Sequence, residues 1–113
     1  MEGYINLTSD NKLKKKIITE GTGASPIKGK SVFVHYAGRL ENGQEFDRSE
    51  EPFKFQLGVG EVIKGWDLGV ASMKIGEKCE LWIHSDYAYG DKGIPKVIPP
   101  KAPLIYELTL LKC

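Results

Sequence analysis

Apolar and polar positions alternate along this chain in short runs, separated by turns rich in glycine and proline. Lys12 to Thr19 carries Leu13 and the pair Ile17–Ile18, and Glu20-Gly21-Thr22-Gly23 interrupts it, which predicts a first strand. Val32, Val34 and Tyr36 alternate with Phe33 and His35, giving a strand that is apolar on both faces at its start. Glu41-Asn42-Gly43-Gln44 follows, and Asn-Gly predicts a hairpin with a type I′ turn, whose two central residues both need positive φ. The returning strand would carry Phe46 and Asp47. Phe53-Lys54-Phe55-Gln56-Leu57 has period two, so its two phenylalanines and Leu57 share a face.

Ile63, Trp66, Val70 and Met73 then recur at i, i+3, i+7 and i+10, the spacing of one helical face. Gly65 and Gly69 each weaken such a helix by roughly 1 kcal/mol relative to alanine, so it should be short and held by packing. Cys79, Leu81 and Ile83 alternate with Glu80, Trp82 and His84, and Leu104 to Leu111 alternates again, predicting two further strands. Between them Ser85 to Pro103 contains four of the chain's 6 prolines. A connection this long in a small domain is functional or disordered. Tyr87, Tyr89, Ile94, Val97 and Ile98 give it too much apolar surface for disorder. The pattern describes an α+β domain: an antiparallel sheet, buried on one side, around one short helix.

Composition narrows the function without naming one. A chain of 113 residues holds one core of ordinary globular make-up, 41% hydrophobic and 27% charged. Its 16 Lys+Arg against 15 Asp+Glu leave a net charge of +1, which argues against nucleic acid or an acidic membrane as the main partner. Lys12 and Lys14 to Lys16 form a basic run. Exposed lysines that keep an edge strand from pairing with other chains explain it better than a phosphate contact does. No segment has signal-peptide character or the ~20 apolar residues of a membrane helix, so a cytoplasmic location is expected. Two cysteines, Cys79 and Cys113, fit free thiols in a reducing compartment.

Neither His35 and His84 nor the cysteines have metal-ligand spacing, and neither a metal nor a cofactor is expected. There is no phosphate-binding glycine motif and no nucleophile elbow. What remains is aromatic: Tyr36, Phe46, Phe53, Phe55, Trp66, Tyr87, Tyr89 and Tyr106. These rings fill a core or line a shallow apolar pocket. Their number, and the position of several beside turns, favours the pocket for some of them.

The motifs that hold these rings are more specific in combination. Val34-His35-Tyr36, Asn42-Gly43 running into Phe46-Asp47, and Pro52-Phe53-Lys54-Phe55 come first. Gly60-Glu61-Val62-Ile63-Lys64-Gly65-Trp66, Tyr87-Ala88-Tyr89-Gly90 and Val97-Ile98-Pro99-Pro100 follow in order. Together they resemble the FKBP-type peptidyl-prolyl isomerases, immunophilins that bind tacrolimus and rapamycin, from about Leu13 to Lys112. The resemblance implies a five- or six-stranded antiparallel half-barrel around one helix, spanning residues 12–113 behind a lead-in of residues 1–11.

It also implies a catalytic set of Tyr36, Phe46, Asp47, Trp66, Tyr89 and Tyr106, with Trp66 as the floor. Substrate or inhibitor would further touch Phe53, Glu61, Val62, Ile63, Ala88, Ile94, Val97 and Ile98. Glu61 would offer a backbone carbonyl and Ile63 a backbone N–H. Proline-containing peptides and proteins, and macrolide inhibitors, are the implied partners of a monomeric chain with chaperone-like folding activity. The chain departs from the usual family pattern at Ile94, where histidine is frequent, at Val97, and at Tyr106, where phenylalanine is usual. Its 48–51 loop is also short, and the arginine that often braces the aspartate from that loop has no aligned counterpart, which leaves open whether Arg48 replaces it. A scaffold module with incidental activity is the rival reading. A basic nucleic-acid-binding domain is a weaker one.

Overall fold

The computed structural model describes residues 2–113. Its strands are β1 (Ile5–Asn6), β2 (Leu13–Thr19), β3 (Ser31–Leu40), β4 (Glu45–Arg48), β5 (Phe53–Gln56), β6 (Lys78–Ile83) and β7 (Leu104–Lys112), with one helix, α1 (Lys64–Ala71). All pairings are antiparallel, in the order β1-β2-β6-β7-β3-β4, and β5 pairs with β3 beside β4. The sheet therefore has seven strands, and the one beyond the expected five or six is β1, two residues of the lead-in paired to Lys14 and Lys15.

Alternation puts Leu13, Val32, Val34, Cys79, Leu81, Ile83, Leu104, Leu108 and Leu110 on the concave face, each fully buried, and α1 lays Trp66 and Val70 onto them. The Cys79 thiol has its pKa pushed up to about 12 by burial and, less strongly, by Glu77 and Glu80, despite the opposing charge of Lys15. It is a core side chain without nucleophilic character at neutral pH. Among the described residues no helix is long and apolar enough to cross a membrane, and no group of three or more His, Cys, Asp or Glu is placed to hold a metal.

Three expectations change in the structure. The lysine run does not guard an edge, because β2 has β1 on one side and β6 on the other. Lys15 shares the inward alternation of Leu13 and is 4% exposed. Its ammonium donates to Glu77 at 2.9 Å and to the Ser72 carbonyl at 3.1 Å, just past α1. A helix with no basic residue of its own in its last turn receives its terminal cation from the sheet. The Asn-Gly hairpin is not type I′ either. Gly43 alone takes positive φ (+94°), and its N–H donates to Leu40 O. Asn42 stays at negative φ and accepts the Gln44 N–H on its side chain, which makes a three-residue loop.

The third change concerns the helix glycines. Both are buried, and a Cβ on Gly65 would lie 2.6 Å from Ile83 Cγ2, while one on Gly69 would overlap Leu81 Cδ1. They lower helix propensity, but they also let α1 sit directly on β6, which closes the core. Gly69→Ala should therefore destabilise the domain by about 1–3 kcal/mol, the reverse of its effect in a free helix. Urea denaturation measures this, and a stabilised variant would show that α1 can lift off β6 freely.

Candidate active site

Trp66 enters the core on the first turn of α1 and becomes the hub of an aromatic cluster. Its ring centroid lies 5.0 Å from Tyr36, 5.1 Å from Tyr106, 5.9 Å from Phe55 and 6.0 Å from Phe53, with near-perpendicular contacts to Tyr106 and Phe53. Such edge-to-face contacts add about 0.5–1.5 kcal/mol each and fix ring orientation. The indole N–H is buried and has no acceptor among the described residues. An unpaired donor costs the fold about 1–3 kcal/mol. The large flat ring is retained nonetheless.

Above this floor opens a cleft of about 480 Å³, lined by Tyr36, Asp47, Phe53, Glu61, Val62, Ile63, Trp66, Ala88, Tyr89 and Tyr106. β3 supplies Tyr36, β4 Asp47, β5 Phe53, β7 Tyr106 and α1 Trp66. The segment before α1 brings Glu61 to Ile63, and the long connection brings Ala88 and Tyr89. Ten of the fourteen residues expected from sequence thus meet at one opening. The other four stand off it. Phe46 reaches it only through Tyr106, whose ring it meets edge-on at 5.7 Å. Ile98 is 3% exposed and belongs to the core, bonded in both directions to half-buried Ile94. Val97 is exposed and borders a separate hollow with Leu40 and Pro95. The bridge Ile94–Ile98 folds the tip of the connection onto itself, so these apolar side chains pack beside the cleft.

The polar side chains on the lining are the hydroxyls of Tyr36, Tyr89 and Tyr106 and the carboxylates of Asp47 and Glu61. Tyr36 donates its hydroxyl to Asp47 Oδ2 at 3.1 Å, and Asp47 Oδ1 accepts the Arg48 backbone N–H. The Arg48 guanidinium pairs with Glu45 and does not brace Asp47 through its side chain. The phenols of Tyr36, Tyr89 and Tyr106 are all held above their ordinary pKa, by burial first and then by neighbouring groups including the Asp47 charge. Each stays a hydroxyl through the neutral range. The start of α1 has no side-chain cap, so its first N–H groups are available at the edge formed by Ile63. The Glu61 carboxylate is spent on Gln56 N–H, and Asp67 accepts from Gly58 and Gly60 N–H, which fastens this edge to the preceding loop.

Two positioning residues escape the sequence patterns. Ser49 fills the gap where β4 ends and β5 has not begun. Its hydroxyl accepts Tyr36 N–H at 2.9 Å and its N–H donates to Tyr36 O at 2.9 Å, so a side chain replaces a missing strand partner. Gly38 is buried, and a Cβ there would lie 2.6 Å from Tyr106 Cε1 and 2.9 Å from Phe46 Cζ. A polar residue after a short strand and a glycine inside a long one are the only sequence traces of these roles.

This arrangement contains no nucleophile paired with a base. It can desolvate a small ring on indole, surround it with aromatic edges and satisfy a carbonyl at an uncapped helix start. Comparison with known proteins points the same way. Residues 23–111 match the family profile described as "FKBP-type peptidyl-prolyl cis-trans isomerase". FK506-binding protein 59 of Drosophila melanogaster is 51% identical over 95% of this chain, which spans only 25% of that protein's length. FK506-binding protein 1 of Dictyostelium discoideum is 52% identical over 84% of this chain and 92% of its own. The crystal structure of a peptidyl-prolyl cis-trans isomerase from Pseudomonas syringae pv. tomato is 37% identical and superposes with a TM-score of 0.88, covering 98% of this chain and 80% of that one.

Proposed function

Because this chain belongs to the FKBP-type peptidyl-prolyl cis-trans isomerase family, we propose that its cleft accelerates rotation about X–Pro bonds in peptides and folding proteins. The observation that carries this is a cleft over Trp66 walled by the rings of Tyr36, Phe53 and Tyr106, with no nucleophile–base pair on its lining. Rotation faces a barrier of ~18–20 kcal/mol because amide resonance is lost at the twisted state. Catalysis needs no bond-making group, only a site that favours the twisted amide over either planar form. Proline stacks on Trp66 between Tyr36, Phe53 and Tyr106, with Phe46 backing Tyr106. Water leaves the carbonyl, and a planar, charge-separated amide loses more by that than a twisted one. The Ile63 N–H and the Tyr89 hydroxyl hold the flanking carbonyls, and Asp47 orients Tyr36. A ~10⁶-fold acceleration corresponds to roughly 8 kcal/mol, within reach of desolvation and positioning together.

The same walls suit macrolides of the tacrolimus and rapamycin class, in line with the names of the relatives. The free thiols Cys79 and Cys113 support a reducing, cytoplasmic setting. The test is a coupled assay with a Leu-Pro peptide. Isomerisation should be fast, blocked by tacrolimus at micromolar protein, and lowered in Tyr89→Ala with folding intact. No acceleration by the wild-type chain would remove the proposal.

The rate should also be flat from about pH 6 to about pH 9, because no step moves a proton and every cleft phenol titrates above its ordinary 10.0. A bell-shaped profile in that window would reveal an acid or base that this mechanism lacks.

A further inference from the structure

Residues Leu7 to Asn11 read as part of a polar lead-in, yet together with Lys12 they make a dense set of bonds to the connection after β6. Leu7 is half-buried against the core and donates its N–H to Leu13 O at 2.9 Å. Asn11 turns the chain at positive φ, +62°. The Asp10 carboxylate then accepts from three donors: the Thr8 hydroxyl at 2.5 Å, the Lys12 N–H at 3.1 Å and the Tyr87 hydroxyl at 2.5 Å. Lys12 adds an ion pair to Asp86 at 2.6 Å and accepts His84 N–H on its carbonyl at 2.9 Å. The lead-in thus grips the short 3-10 turn Ser85–Tyr87 at both ends.

That turn is the anchor of one wall of the cleft. Ser85 O accepts the N–H groups of Ala88 (2.9 Å) and Gly90 (2.8 Å), which bracket Tyr89. On its other side, the Tyr87 ring lies 4.9 Å beneath the ammonium of Lys64, the first residue of α1 and the neighbour of Ile63. Tyr87 does not line the cleft itself. It stands between the two edges that do, one carrying Tyr89 and the other Ile63, and Asp10 holds it there.

We propose that Asp10 and Tyr87 are positioning residues: the lead-in, through their hydrogen bond, sets the separation between the Ala88–Tyr89 wall and the start of α1. The kinetic consequence rests on the isomerase reading, while the mechanical one does not. Without the bond the wall samples wider positions, and only the competent fraction binds substrate. The apparent dissociation constant rises by the inverse of that fraction while turnover of the bound complex is kept.

The test uses Tyr87→Phe, Asp10→Ala and, as control, Tyr4→Phe in the full chain. Tyr4 ties the same lead-in to Glu80 on β6, away from the cleft. Losing a charge-assisted bond is worth about a factor of ten. Amide hydrogen exchange at Ala88 and Gly90 should speed up about tenfold in Tyr87→Phe and in Asp10→Ala, and the double variant should add nothing more. KM for the Leu-Pro peptide should rise about tenfold with kcat held within about twofold, and Tyr4→Phe should leave both readouts unchanged. Wild-type exchange and KM in Tyr87→Phe would overturn the proposal. So would equal changes in Tyr4→Phe, which would make the lead-in a general stabiliser. If the wild-type chain accelerates nothing, the isomerase reading fails, and the exchange measurement alone decides whether the latch exists.

Discussion

Lys15→Ala is expected to destabilise the domain by about 3–5 kcal/mol, the cost typical of removing one partner from a buried ion pair. The reasoning is geometric. Lys15 and Glu77 have side chains 4% and 5% exposed, and their 2.9 Å contact is shielded from solvent and salt. Truncation leaves Glu77 beneath the sheet without its counter-charge and strips the Ser72 carbonyl of a donor. The Glu77 backbone is held in place, its N–H bonded to Lys74 O and its carbonyl accepting Leu110 N–H, so the main chain does not shift to expose the carboxylate. A loss of that size lowers the melting temperature by roughly 10–20 °C. Joint replacement, Lys15→Met with Glu77→Leu, should recover most of it, since apolar groups of similar volume often match or exceed a buried pair. A loss below about 1 kcal/mol for Lys15→Ala would mean that the pair behaves as a surface contact.

Gly38→Ala should lower kcat/KM for the Leu-Pro peptide about a hundredfold, the scale expected when a wall moves by about 1 Å. Gly38 lies within β3 at a φ that alanine adopts readily, so the substitution acts through space and not through backbone strain. The new methyl group meets Tyr106 and Phe46 at once. Tyr106 is 4% exposed and has Trp66 edge-on at 5.1 Å and Tyr36 at 6.2 Å. Tyr106 also lines the cleft, so displacing it alters the space that the proposed mechanism gives to the proline ring. Stability should fall by only about 1–3 kcal/mol, as for other overpacked sites. Near-UV circular dichroism and urea melts separate this from misfolding. Unchanged kcat/KM in a folded variant would show that Phe46 and Tyr106 have no part in shaping the site.

Much of the architecture was legible along the chain because local periodicity reports which side of an element faces the core. Period two placed Val32–Tyr36, Phe53–Gln56, Cys79–Ile83 and Leu104–Leu111 in strands, with Leu57 just past the end of β5. The i, i+3, i+7 spacing placed Trp66 and Val70 on one side of α1. The aromatic motifs led to ten residues that meet at one cleft. The same reasoning could not separate Phe46 and Ile98 from that group, since an apolar side chain beside a pocket and one lining it carry the same signal.

What periodicity leaves open is the occupant of the space opposite each side chain, and elements distant in sequence decide that. Lys15 reads as an exposed lysine until α1 and Glu77 arrive beneath β2. Gly65 and Gly69 read as helix weakeners until β6 lies within contact of their missing side chains. Gly38 becomes a spacer only between Phe46 and Tyr106, and Asp10 a latch only against Tyr87. The amino-acid order by itself determined six of the seven strands, the helix and the aromatic inventory, because those follow from periodicity within a few residues, whereas β1 exists only by pairing with β2. Which polar atoms are buried, which glycines are spacers and which rings reach the cleft were decided by tertiary structure alone, because close packing couples residues whose separation in the chain carries no periodic trace.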